Sequence, residues 1–120
     1  MKGMDSIGDK YQCTYAFLGV CNDDMDKYKQ LLSDALSRAR RESGRLIVIS
    51  VLCPNIDYNK YLLTANEVTA NNMDARVELY EVRGVEGAIK VFNLLSQKCA
   101  PVKVYADIDV KPEGVEVVKM

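Results

Sequence analysis

One stretch of this chain constrains its fold more than any other. Residues 15–51 read YAFLGVCNDDMDKYKQLLSDALSRARRESGRLIVISV. An apolar run is followed by an acidic break, a long amphipathic segment, a glycine and a second apolar run. Continuous apolar runs, here residues 16–20 and 46–49, suit strands buried on both faces. Between them Met25, Tyr28, Leu32, Ala35, Leu36 and Ala39 recur mainly at steps of three and four. That spacing lays one apolar stripe along a helix. Asn22, Asp23 and Asp24 supply capping oxygens and negative charge at its start. Arg38, Arg40 and Arg41 suit its negative end, and Ser43-Gly44 stops it. The stretch predicts a βαβ unit.

The remaining segments repeat that alternation. Residues 1–10 read as a flexible leader broken by Gly3 and Gly8, and residues 11–120 as a single α/β domain. The first strand covers residues 11–20, with Gly19 near its carboxyl end. A glycine there lets another backbone or a ligand come close. Residues 45–53 form a central strand that Pro54 ends. Asp57 or Asn59 caps a second helix running to about residue 71, with Tyr61, Leu62, Ala65 and Val68 as its stripe. Glu78 and Glu81 interrupt residues 75–82, which predicts an edge strand. Arg83-Gly84 turns the chain into a third helix over residues 85–99, and Pro101 follows its end. Residues 102–110 alternate apolar and polar, and residues 115–118 make a short last strand. The expected fold is a three-layer, Rossmann-like sandwich. Its mainly parallel sheet has four to five strands in the order 3-2-1-4(-5), with helices on both faces.

Composition narrows the chemistry. The 120 residues carry a net charge of −1, which argues against nucleic-acid or membrane binding driven by bulk charge. No apolar run is long enough to cross a membrane, and the chain reads as cytoplasmic. The absence of histidine removes any histidine-dependent zinc site or catalytic triad. The four cysteines, Cys13, Cys21, Cys53 and Cys99, form no CxxC pair and read as small buried hydrophobes. No metal and no cofactor is expected. Asp107 and Asp109, which project from one side of a strand, read as solvated acids.

The order of elements resembles the universal stress protein family, within the adenine-nucleotide α-hydrolase-like superfamily. The matching pieces are the strand with its acidic loop at residues 20–24, the long glycine-closed helix, the strand RLIVISVL, and the segment VELYEVRGVEGAIKVFNLLSQ. Nucleotide-holding members of that family place an acid at the end of the first strand, where this chain has Cys21. They also carry a glycine-rich loop after the fourth strand, spaced G-xx-G-x9-G-S/T. Here that region reads YADIDVKPEGVEVVKM, with Gly114 its only glycine. Such glycines let backbone N–H groups close around phosphates, whereas Asp107 and Asp109 repel them. The fourth helix of the family has no room either. The resemblance therefore implies a degenerate or truncated member that does not bind ATP.

Ligands of open α/β sheets bind beyond the carboxyl ends of the strands. Cys21, Asn22, Asp23, Val51, Cys53 and Gly84 are the candidate lining there. Cys21 at a helix N-terminus is a candidate reactive thiol. The expected function is a non-catalytic module acting by self-association or through a protein partner. The alternative is a small-molecule or nucleotide binder using that crevice. Related stress-protein folds pair through their last strand, so a homodimer through the C-terminal strands is expected.

Overall fold

The computed structural model describes residues 11–21, 24–71 and 76–120. The leader, the candidates Asn22 and Asp23, and residues 72–75 lie outside them. Strands and helices alternate as β1 (Tyr11–Val20), α1 (Met25–Glu42), β2 (Arg45–Leu52), α2 (Tyr58–Ala70), β3 (Arg76–Val82), α3 (Val85–Leu95), β4 (Cys99–Ala106) and β5 (Val117–Lys119).

Among the described residues the strands form one sheet in the order β3-β2-β1-β4-β5. Every pairing in it is parallel. Alternate residues of β1 and β2 supply the two faces, as the period of a strand requires. Ala16, Leu18, Leu46 and Val48 pack with Leu32, Leu36, Ala65 and Val68 of α1 and α2. Tyr15, Phe17, Ile47 and Ile49 pack with Ala88 and Phe92 of α3. The result is a three-layer α/β sandwich. Right-handed crossovers that step first one way and then the other from β1 put helices on opposite faces in just this manner.

Local chemistry sets the helix ends. The Asp24 carboxylate accepts the Asp26 N–H at 3.1 Å, and Asp57 accepts those of Asn59 and Lys60. Gly44 closes α1 at a φ of 74°, and its N–H donates to the Ala39 carbonyl at 2.7 Å. That left-handed backbone explains why a glycine stands there. Within the described residues no helix is long and apolar enough to cross a membrane.

Several boundaries differ from the sequence reading, among them β5, which spans Val117–Lys119 and not residues 115–118. Helix α3 stops at Leu95, because Cys99 already begins β4 opposite Tyr11. Pro101 lies inside β4 and not after a helix. It sits where the β1–β4 register shifts between Cys13 and Thr14, so the N–H that proline lacks falls at an irregularity in the ladder. At the other end β4 stops at Ala106 rather than 110: Phe17↔Ala106 is the last pair with β1, and the Asp107 N–H makes the closing bond to the Phe17 carbonyl.

The cysteines also need a correction. Cys13 and Cys99 are buried as expected, yet all four cysteines are paired: Cys13 with Cys99 and Cys21 with Cys53. Their Cα separations are 5.7 and 4.8 Å, within the span a disulfide bridges. Four cysteines permit three pairings, and only strand register distinguishes them. Cys13–Cys99 closes 86 residues and Cys21–Cys53 closes 32. Loop-closure entropy therefore favours the first as the larger contribution, with about 2–4 kcal/mol typical for one bridge. In denaturant titrations a Cys13→Ala/Cys99→Ala variant is expected to lose about 1 kcal/mol more than a Cys21→Ala/Cys53→Ala variant. The unreduced wild-type chain, once unfolded, should take up no iodoacetamide. Equal losses in the two variants, or alkylation without reductant, would count against this arrangement.

Candidate functional site

The chain reverses direction across the sheet between β1 and β4, and a ligand crevice belongs beyond the carboxyl ends of those strands. Here the chain fills that place itself. The Asp107 carboxylate accepts the Gly19 N–H at 2.7 Å, and the Asp107 N–H donates to the Phe17 carbonyl at 3.1 Å. Ile108 then lies so close that a Cβ on Gly19 would stand 2.6 Å from its Cγ2. Gly19 thus does allow a close approach, and the approaching group is the chain's own Ile108. What remains is a hollow of about 220 Å³ whose walls include Cys21, Asp24, Lys27 and Ile108. Drug-sized ligands usually occupy about 300 Å³ or more.

Of the residues picked from sequence, only Cys21 reaches this hollow among those described. Its sulfur is bonded to Cys53, so it holds no thiol to lower in pKa. The bridge ties the segments leaving β1 and β2, and the Cys53 N–H also donates to the Val20 carbonyl at 2.9 Å. Val51 packs into the core on the α3 side. Gly84 caps α3 in extended backbone with open space around it. Sequence reasoning saw Asp107 as a solvated strand acid that repels phosphate; it lies instead just past β4 with its carboxylate on the Gly19 N–H. The signal available was Gly19 itself.

Buried polar groups elsewhere are matched to partners. Tyr28 and Ser50 share a hydrogen bond of 3.0 Å between their hydroxyls, and the Tyr61 ring lies 5.5 Å from that of Tyr28. Burial pushes both tyrosine hydroxyls up in pKa, Tyr28 furthest, so both remain protonated at neutral pH. Glu42 stands in the last turn of α1, where the helix dipole opposes negative charge. It is held there by Thr14, whose hydroxyl donates to Oε1 at 2.8 Å, and by the Tyr105 hydroxyl on Oε2. Burial, and then that bond, push the Tyr105 hydroxyl up. The Arg38 guanidinium covers the Tyr105 ring at 4.6 Å and also pairs with Asp34. These contacts fasten α1 to the sheet. Among the described residues no group of three or more acids and cysteines is arranged to hold a metal.

The larger cavity, about 730 Å³, lies at the opposite end, against the amino ends of β1, β2 and β3. Its walls carry the Cys13–Cys99 bridge and three cations. No family model, curated protein or solved structure matches the chain.

The closed crevice has a direct test. Gly19→Ala forces its new methyl against a β-branched side chain that has little freedom to yield, and overpacking of this kind costs about 1–3 kcal/mol. Ile108→Ala should remove most of that penalty in the double variant, so a thermodynamic cycle over the two positions yields a clear coupling. A Gly19→Ala chain as stable as wild type would refute the close packing of Ile108.

Proposed function

We propose that this chain is a universal stress protein-like module that acts by protein association and not by nucleotide chemistry. The observation that carries the proposal is the occupation of the carboxyl-end crevice by Asp107 and Ile108. A nucleotide there would have to displace a hydrogen bond to backbone and a packed isoleucine. It would also meet the carboxylate of Asp107 where its phosphates need N–H donors. The family assignment is supported by the strand order, by two helices on one face and one on the other, and by the quoted sequence pieces. The alternative, a small molecule in the same crevice, has only about 220 Å³ to use.

Association has its support at the sheet edge. β5 pairs with β4 through Val104↔Val117, Tyr105↔Val118 and Ala106↔Lys119, and it stands last in the sheet. Its outer side offers N–H and C=O groups to another strand. A second copy of the chain, related by a two-fold axis, satisfies them with the same segment. The expected dimer interface is therefore at β5, because Val117–Lys119 folds back along Val104–Ala106 and takes that part of the β4 edge. The paired cysteines support an oxidising compartment over the cytoplasm expected from the sequence, since reducing cytosol keeps most thiols free.

Sedimentation of the full chain beside a chain ending at Lys111 tests this reading. The full chain should run as a dimer and the shortened one as a folded monomer. Calorimetry with magnesium-ATP should register no binding. A full chain that stays monomeric at high concentration sinks the association. A micromolar dissociation constant for ATP sinks the rest.

A further inference from the structure

The large cavity at the amino end of the sheet follows from a mismatch in length. Helix α3 has 11 residues, about 16 Å at 1.5 Å per residue. The 10 residues of β1 beneath it extend about 33 Å. The helix covers the carboxyl half of its face and leaves the amino half without one. Parallel register then decides what lines the gap. Arg45 of β2 is the direct partner of Arg76 of β3, and Ile47 is the partner of Glu78. Ile47, Leu95 and the Cys13–Cys99 bridge make the apolar floor of a cavity of about 730 Å³. Lys98, just beyond α3, adds a third cation to the wall.

The charges around this pit are out of balance. Parallel strands lie about 4.8 Å apart, and like charges directly opposite one another on such strands repel. Among the described residues the ion pairs are Lys29–Glu67 and Arg38–Asp34. Arg45, Arg76 and Lys98 take part in neither. The Arg45 guanidinium lies over the Tyr11 ring at 4.1 Å, a contact that holds its plane and leaves its edge donors for another group. Glu78 is the one carboxylate in the lining, and it already accepts the Tyr80 hydroxyl at 2.5 Å. Three cations therefore surround an apolar pit with a single, engaged acid.

We propose that this cavity binds a small amphipathic oxyanion, with an apolar body on Ile47 and Leu95 and an anionic head on Arg45 and Arg76. Adjacent guanidinium forks meet the paired oxygens of a carboxylate or of a phosphate monoester. The volume lies within the range that small-molecule pockets span, about 300–1,000 Å³. The site is at the other end of the sheet from the filled crevice, so it stands apart from the association through β5.

The test uses the full chain and three probes with one apolar body: octanoate, octyl phosphate and neutral octanol. Heteronuclear NMR titration should show octanoate or octyl phosphate binding at sub-millimolar concentration. The shifts should cluster at Ile47, Leu95 and Cys99, and the tighter of the two probes identifies the head group. Arg76→Gln changes an exposed edge position and should weaken that probe about tenfold, the value of one charge-assisted hydrogen bond. Leu95→Trp, which fills the pit, should abolish binding in a chain whose spectrum stays folded. The proposal is overturned if neither anion binds at millimolar concentration, if octanol binds as tightly, or if the shifts cluster at Gly19 and Ile108. Unchanged affinity in Arg76→Gln overturns it too.

Discussion

Strand β1 is the constraint on which the rest of the molecule depends. It pairs with β2 along one edge and with β4 along the other. From Cys13 to Leu18 each side chain is buried. A strand paired on both edges and covered on both faces has no solvent to satisfy its backbone groups, so its neighbours must complete both ladders. That requirement places α1 and α2 on one face and α3 on the other. It also forces the chain to leave β3 at one margin of the sheet and return on the far side of β1. The crevice between β1 and β4 is a by-product of that return.

What happens at the two ends of β1 distinguishes this chain from a generic parallel sheet. At its carboxyl end the fold opens a crevice and the sequence closes it, through Asp107 on the Gly19 N–H and Ile108 against the Gly19 backbone. At its amino end the short α3 leaves a cavity that the strands line with Arg45 and Arg76. The usual site is shut and the usual underside is open. Function in this fold follows side chains and not topology alone.

Much of the architecture was legible because it rests on periodicity. The apolar runs at residues 16–20 and 46–49 identified buried strands, and the stripe on α1 named Tyr28, Leu32, Ala35, Leu36 and Ala39, all of them buried. Glu78 and Glu81 marked β3 as an edge strand, and it is one. The errors share a cause, which is that each depends on register between distant segments. Pro101 reads as a stop when seen alone, yet β4 tolerates it because the ladder with β1 shifts at that point. The cysteines read as isolated hydrophobes because nothing local brings residue 13 to residue 99. Asp107 carried a visible charge, but its partner is a backbone N–H 88 residues away, and a backbone donor leaves no mark in a sequence. The amino-end cavity was missed for the same reason: Arg45 and Arg76 become neighbours only when β2 and β3 align.

The two disulfides acquire a common meaning from this geometry. Cys13–Cys99 joins β1 to β4 beside the amino-end cavity, and Cys21–Cys53 joins the segments after β1 and β2 beside the closed crevice. One central strand is thus tied covalently to a different neighbour at each end. Strand ends are where a sheet frays first, because their last residues have few packed contacts to hold the ladder. Cross-links there resist opening in the native sheet as well as restricting the unfolded chain. The amino-end link has a further effect. It ties β1 to β4 in the cavity wall, beside Leu95 at the end of α3. The rim cations Arg45 and Arg76 are placed by a different constraint, the register of β2 on β3, so the covalent link and the strand ladder define separate walls of the same cavity.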